Sequence, residues 1–403
     1  MSDVAIVADD LSGACEAAAT FLLRTTRISI ALDAVAGSAD GFRVVAVDTH
    51  SRGLAPAQAA GRVMAAIAGR AGVPVLKKVD SLLRGNIAAE VTALRDLLRT
   101  APVVATALPA AGRTVVGGVP HVGGTPLHAT ALWHAEPGAA PRTVADALAP
   151  MATVTVPLAV VRGGADGLAR ALGAAVAGSL VPVCDAETDA DLDAIHAAVA
   201  LLPTPPVLVG SAGLVAAAAR AMPADPAGPL AVDRRPPAAD AVLVVAGTCA
   251  PSLAGQLDVL APEADAVVRL DPHALLTDPV GTGRELTARL AGARCVAVSL
   301  DGSGDVDAGL SARLARALAE AVAPTAGDGR ALILTGGETA RAVLDRLGVD
   351  RLRPAYGCEG AVVSTTGTGR VVATRPGSFG GPASLAGLVR TVLSHPKDPK
   401  EPA

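Results

Sequence analysis

"VLKKVDSLLRGN", residues Val75 to Asn86, passes from an apolar run into an acid and then into arginine and glycine. Directly after it, Ile87, Val91, Leu94 and Leu98 recur at helical spacing, and Asn86 stands where an N-cap would. The stretch therefore reads as a strand, a polar turn and a helix start. Working outward, the same plan repeats. Apolar runs end in polar residues at "VAIVADD", "RVVAVDTHSR", "PVVATALPA", "VTVPLAVVR", "LVPVCDA" and "PVLVGSAG", with helix-like segments between most of them. Strands that are apolar throughout, alternating with helices, specify an α/β fold with a mainly parallel sheet covered by helices. One segment departs from the plan. "RTVVGGVPHVGGTPLHAT", Arg113 to Thr130, alternates around Gly-Gly pairs and reads as a β-hairpin excursion.

Near Met222 the pattern stops, and "PADPAGPLAVDRRPPAAD" follows as a Pro-rich connection. It restarts with "AVLVVAG", "ADAVVRLD", "RCVAVSLDG" and "RALILTGG". A chain of 403 residues exceeds one typical domain. Two domains are expected, 1–225 and 240–395, with a linker at 226–239, a disordered tail at 396–403 and a ligand cleft between the domains. Aromatics are only 1% of a chain that is 51% hydrophobic, so Ala, Val and Leu must fill the cores. A net charge of −4, with no basic stretch interleaved with aromatics, argues against nucleic acid. The five cysteines are scattered, which suggests neither a disulfide framework nor a zinc site and fits a reducing cytoplasm. The start, "MSDVAIVADD", lacks the basic region of a signal peptide, and no apolar run is long enough to span a membrane. The expected setting is cytoplasmic.

In open parallel sheets, ligands bind outside the carboxyl ends of strands. Polar residues gather at those ends in the first domain: Asp9, Asp10, Ser12 and Gly13; then Asp48, Thr49, Ser51 and Arg52; then Asp80, Ser81, Arg84 and Gly85; then Arg113. Lysine occurs only at Lys77, Lys78, Lys397 and Lys400. Strand alternation puts Lys78 on the face of Asp80 and turns Lys77 the other way, toward solvent or a charge partner. Each residue alone has a plainer reading. Asp10 can be an N-cap, an Asp–Arg pair a surface ion pair, a lysine a snorkelling side chain. Together they suit a small anionic, hydroxylated ligand, with arginine forking a carboxylate and aspartate accepting from hydroxyls. The second domain carries glycine turns before helix starts in "AGTCAPS", "LILTGGETA" and "RPGSFGG". Glycines admit phosphate close to backbone N–H groups at a helix N-terminus. Neither a GxxxxGK[ST] loop nor the protein-kinase motif set is present.

Taken in order, these motifs resemble the four-carbon acid sugar kinases over almost the whole chain. "ADDLSGACE" is similar to that family's ADDLTGAxD, "KKVDSLLRGN" to its KxDSTLRGN, and "PAAGRTVVGGVPHVGGTPLHAT" to its PxxGRT stretch. "GTCAPSLAGQ", "GGETA" and "RPGSFGG" match its GSCSxxTxxQ, GGDTA and KxGxFG. The chain differs at Leu82, Ala250, Glu338 and Ser378, and "AYGCEGAVVSTT" replaces a Pro-containing loop. The resemblance implies ATP- and Mg2+-dependent phosphorylation of the terminal hydroxyl of a tetronate-like acid. It puts Asp10, Asp80, Ser81, Arg84 and Gly85 on the sugar-acid side; with Asp9, Ser12, Lys78 and Arg113 as further substrate-binding candidates, Arg84 and Arg113 are expected to fix the carboxylate and Asp10 or Asp80 to orient the attacking hydroxyl. Thr248, Ala250, Gly336, Gly337, Glu338, Thr339, Gly377 and Gly380 fall on the nucleotide side. Glu338 is a candidate magnesium ligand, and the metal ligands are otherwise unknown. A metabolite sensor on this scaffold, or another sugar-acid enzyme such as a phosphatase, stays open as an alternative, as does a homodimer.

Overall fold

The computed structural model describes residues 3–33, 41–68, 70, 72–133, 136, 138–225, 237–247, 251–301, 310–327, 329–358, 360–377 and 380–393. The chain divides into two compact units, Met1–Pro229 and Leu230–Ala403. Most of the expected linker and the whole expected tail lie outside the described residues.

The first unit is a strand–helix alternation. Its strands are β1 (Val4–Ala8), β2 (Ile28–Ala31), β3 (Val44–Asp48), β4 (Val75–Lys78), β5 (Pro102–Ala105), β6 (Arg113–Val116), β7 (Val119–Val122), β8 (Thr125–Pro126), β9 (Thr153–Val156), β10 (Val181–Cys184) and β11 (Val207–Gly210). Its helices are α1 (Leu11–Ala19), α2 (Pro56–Ile67), α3 (Ile87–Leu98), α4 (Val144–Leu148), α5 (Leu158–Val161), α6 (Ala165–Ala177), α7 (Asp189–Val199) and α8 (Ala212–Ala221). Eight strands form a parallel sheet in the order β2-β3-β1-β4-β11-β5-β10-β9. Every residue of β1 beyond Val4, and all of β3, β4 and β5, is buried, as expected of strands covered on both faces. The order matters for function. After β1 the chain moves to β2 on one side, and after β4 it moves to β5 on the other. Their carboxyl ends therefore flank a topological switch point, where the connecting helices diverge and leave a crevice.

Strands β6, β7 and β8 form the expected antiparallel excursion. Gly117 and Gly118 make its turn with φ of +60° and +74°, which only glycine adopts freely twice in succession. Two strand readings need correction. "VTVPLAVVR" is a strand only to Val156; Pro157 ends it, and α5 follows. "ISIA" forms β2, which the sequence reading missed.

The second unit has β12 (Val242–Ala246), β13 (Ala266–Leu270), β14 (Cys295–Leu300), β15 (Ala331–Thr335), β16 (Arg351–Cys358), β17 (Ala361–Thr366) and β18 (Val371–Arg375). Its helices are α9 (Pro251–Leu260), α10 (Pro272–Thr277), α11 (Pro279–Arg289), α12 (Ser311–Ala326), α13 (Gly337–Arg346) and α14 (Ser384–Val392). The strand order is β13-β14-β12-β15-β18-β17-β16. The first five are parallel, and β17 and β16 add antiparallel. The "AYGCEGAVVSTT" segment, read as a loop, is thus largely sheet. From β12 the chain moves outward to β13, and from β15 it moves the opposite way. A second switch point lies at the carboxyl ends of β12 and β15. Its core is built from Val, Leu, Ile and Ala, with Tyr356 packed at the margin.

Candidate active site

The crevice of the first unit is walled by three strand ends. Asp9 and Asp10 follow β1, the 49–54 loop follows β3, and residues 79–86 follow β4. Arg52 joins the first two. Its Nε and Nη2 donate to the two oxygens of Asp9 at 2.7 and 3.1 Å, and its Nη1 donates to Asp10 Oδ2 at 2.9 Å. Asp10 Oδ1 caps α1 by accepting from the Gly13 N–H at 2.9 Å. The plain reading of Asp10 as a cap and the reading as a crevice acid are both realised, one on each oxygen. A second fork lies across the switch point. Arg84 donates to Asp80 through Nε at 2.6 Å and Nη2 at 3.0 Å, and the Leu82 and Arg84 N–H groups add two longer bonds at 3.3 Å.

These pairs set the charge states. Burial works against ionising Asp9, but Arg52, Lys77 and Lys78 outweigh it and hold the carboxyl below its ordinary range. Burial likewise opposes the Asp80 charge, and Arg84, Arg52 and Lys78 overcome it, holding Asp80 far down. Arg52 loses solvation too, yet Asp9, Asp10 and Asp80 raise it well above an ordinary guanidinium. Asp80 is thus a permanently charged partner for Arg84 and a weak base.

Arg113 is differently placed. The hairpin that carries it is fastened to the sheet by Asp185, just past β10, whose oxygens accept from the Gly117 and Gly118 N–H groups at 2.7 and 2.8 Å. Its Nη1 donates to the Ser81 hydroxyl. Its Nε is buried and has no hydrogen-bond partner among the described residues. Burial pulls this guanidinium below its ordinary value, so its charge is under-compensated. Such a group accepts an anion readily.

The remaining expected residues line the same region. Lys78 Nζ lies 3.5 Å from Glu16 Oε2. A Cβ on Gly13 would come within 3.1 Å of that Nζ, so glycine keeps α1 close to it. The Ser12 hydroxyl is buried without a partner among the described residues. Gly85 holds φ at +91°, and a Cβ there would stand 3.0 Å from Asp9 Oδ2. Asn86 occupies the N-cap position of α3 but makes no capping bond. Its amide instead donates to the Ser51 and Leu54 carbonyls at 3.0 and 2.9 Å. Lys77, expected to face solvent or a charge partner, has the partner: its Nζ is 2.7 Å from Glu90 Oε2, with both side chains fully buried. Glu90 was not anticipated, because its only sequence signal is an acid in the first turn of a helix.

In the second unit the glycine turns converge on the other switch point. Gly336, with φ of +94°, precedes α13, whose first residue is Gly337. Its N–H donates to the Arg375 carbonyl at the end of β18, at 2.9 Å. A Cβ on Gly247, after β12, would overlap Thr339 Oγ1 at 2.1 Å, so this turn lies directly on the start of α13. Gly380, with φ of +92°, accepts through its carbonyl from Gln256 of α9 at 3.2 Å. The turns after β12, β15 and β18 therefore meet, and Gly377 lies on the last of them. Ser299, Ala246, Thr335 and Arg375 stand in one register row across these strands, which sequence reasoning missed. Glu338 is exposed in the first turn of α13. Thr248, Ala250 and Ser378 lie outside the described residues.

Residues 4–218 match the description of a sugar-binding N-terminal domain, and residues 243–385 that of a nucleotide-binding C-terminal domain. A D-threonate kinase of Cupriavidus necator is 35% identical over 94% of this chain and 95% of its own. The chain belongs to the four-carbon acid sugar kinase family. A 3-oxo-tetronate kinase of Methylobacterium radiotolerans is 31% identical over 93% of this chain and 96% of its own. A solved Salmonella typhimurium structure, provisionally described as a tRNA synthase, superposes with a TM-score of 0.79 over 97% of this chain and 99% of its own. At 20% identity that likeness shows the fold alone. As a member of this sugar kinase family the chain is a phosphotransferase acting on an alcohol group of a sugar acid, and the sensor and phosphatase alternatives are not favoured. Among the described residues, no helix is long and apolar enough to cross a membrane.

Proposed function

We propose that this protein transfers the γ-phosphoryl group of ATP to the terminal hydroxyl of a tetronate, with D-threonate the first acid to test. The observation that carries the reading is the uneven commitment of the crevice arginines. Arg52 and Arg84 spend their forks on aspartates, whereas Arg113, which meets Ser81 through Nη1, keeps a buried Nε without a partner among the described residues. Arg113 and Ser81 would take the substrate carboxylate. Lys78 and the Asp9–Arg52–Asp10 cluster would meet the hydroxyl end.

Phosphoryl transfer asks for positioning and charge neutralisation more than covalent chemistry. Asp10 is the better candidate to orient the attacking hydroxyl and accept its proton, since each of its oxygens has one described hydrogen-bond donor and its side chain keeps 18% exposure. Asp80, held by Arg84 and two backbone N–H groups, would keep Arg84 in place. On the nucleotide side, the α13 N-terminus, which opens with Gly336 and Gly337, would favour the phosphate charge, and Gly247 lets the turn after β12 pack directly against it. Thr339 would donate its hydroxyl beside the phosphates.

Magnesium would accompany ATP and neutralise charge on its phosphates. Among the described residues, no three His, Cys, Asp or Glu side chains gather as for a dedicated metal centre. That suits an ion bound chiefly by phosphates and water with one or two carboxylates. Glu338 keeps its place as a candidate. A cytoplasmic setting goes with this reading; Cys15, Cys184 and Cys295 are buried.

The test is ADP release by the purified protein with ATP, magnesium and each of D-threonate, D-erythronate and a 3-oxo-tetronate. Release that depends on one acid supports the reading. ATP binding without acid-stimulated release would sink it.

A further inference from the structure

We propose that the buried Lys77–Glu90 pair is a positioning device for Arg52, acting through the Ser51 hydroxyl; its kinetic readout rests on the sugar-acid reading above. Lys77 is 0% and Glu90 1% exposed, and their charged atoms are 2.7 Å apart. Taking both charges out of water costs about as much as their attraction returns, and an apolar pair of similar volume would serve the core as well. The pair therefore calls for another reason, and its second contact supplies one. Glu90 Oε1 accepts from the Ser51 hydroxyl, and the Ser51 oxygen also lies 2.7 Å from the Thr49 hydroxyl. Thr49 in turn donates to the Ala8 carbonyl at the end of β1.

Ser51 immediately precedes Arg52. The N–H groups of both residues donate to the Asp9 carbonyl, at 3.0 and 3.2 Å. Asn86, one helical turn before Glu90, holds the Ser51 and Leu54 carbonyls. The start of α3 thus grips the Arg52 loop twice, at a hydroxyl through Glu90 and at carbonyls through Asn86. Lys77 Nζ, 2.7 Å from the other oxygen of Glu90, supplies the counter-charge that keeps this side chain in place under Ser51. The chain of contacts runs from Lys77 to Glu90, Ser51 and Arg52, and ends at the fork on Asp9 and Asp10.

Two double variants separate this role from core filling. Lys77→Met with Glu90→Leu removes the charges and the acceptor. Lys77→Met with Glu90→Gln removes the charges and keeps a carbonyl for Ser51. The first should lose about tenfold or more in kcat/KM for the acid with the KM for ATP unchanged, whereas the second should stay within about threefold of wild type, a loosened arginine being enough to misplace substrate. Ser51→Ala, which leaves the ion pair intact, should reproduce the loss with little change in melting temperature. Equal kcat/KM in the two double variants, or a Ser51→Ala enzyme at wild-type kcat/KM, overturns the proposal. The Arg52 Nε–H resonance, assigned by its absence in Arg52→Lys, gives a readout without turnover. It should exchange slowly in wild type and in the Gln double variant and rapidly in the Leu double variant. If wild type phosphorylates no acid, the functional reading falls, and this resonance still decides the positioning role. Unchanged exchange in the Leu double variant refutes it.

Discussion

Asp10 and Asp80 carry the same functional group and are bound in opposite ways. Asp80 accepts four bonds, three of them from Arg84, two of these through its guanidinium. Asp10 accepts two described bonds from two different elements. Asp10→Asn keeps the cap, since Asn caps as well as Asp. It should leave melting unchanged while turnover drops by roughly a hundredfold, the worth of a positioned base. Near-normal turnover in that variant would remove Asp10 from the chemistry. Arg113→Lys keeps the charge and loses the planar fork. Acid binding should weaken by about 1.5–3 kcal/mol with ATP binding untouched, which calorimetry on each ligand can read. Acid pH tests the depressed carboxyls. Asp9 and Asp80 have folded pKa values below the unfolded value of about 3.9. Their contribution to stability is therefore complete above that value and is lost as pH falls through the folded values. The melting temperature should drop steeply below about pH 4, and less so in Asp80→Asn, whose melting temperature at neutral pH should already be lower. The strand-end acids were legible because alternation and the switch-point rule place them. Glu90 was not, because nothing in a helical sequence says which buried lysine it will meet.

At the scale of elements, the strand–turn–helix unit was readable wherever a strand is buried on both faces, as β1, β3, β4 and β12 are. Readability failed at β2, although it is as long and as buried as β4, and where Pro and Gly punctuate a real strand. Pro354 and Gly357 both lie inside β16, and its register with β17 shifts between Pro354 and Tyr356. An antiparallel pair absorbs such irregularity at a bulge, which periodicity does not reveal. Asn86 shows a related limit: the residue type fits a cap, but tertiary contacts with the 51–54 loop claim its amide. The glycine turns give the prediction that belongs here. Gly247→Ala would put a methyl group on Thr339 Oγ1 and push the start of α13 away from β12. ATP affinity should fall at least tenfold with acid affinity unchanged. Gly255→Ala, on α9 with open space around it, should be silent in both and serves as the control.

The molecule uses one rule twice. In each unit the strand order reverses beside the first strand, between β1 and β4 and again between β12 and β15. In each, part of the candidate site follows those two strands: Asp9, Asp10 and residues 79–86 in the first unit, Gly247, Gly336 and Gly337 in the second. The contents differ as the ligands differ. The first unit holds ion-paired side chains, which on the proposed reading would recognise a carboxylate and hydroxyls by direction. The second holds glycine turns at a helix N-terminus, which on that reading would present backbone N–H groups to phosphate. This division predicts separable footprints in hydrogen exchange. D-threonate alone should slow exchange at residues 49–54 and 80–86 and at Arg113, where backbone and side chains hold the crevice. A non-hydrolysable ATP analogue alone should slow exchange at Gly247, at Gly336 to Ala340 and after β18. Threonate protection at the glycine turns, with none at 80–86, would show that the acid binds the second unit and would dissolve the assignment of Arg113 and Ser81. Protection of 80–86 that survives in wild type and is lost in Arg113→Lys would tie the footprint to the one crevice arginine whose Nε has no described partner.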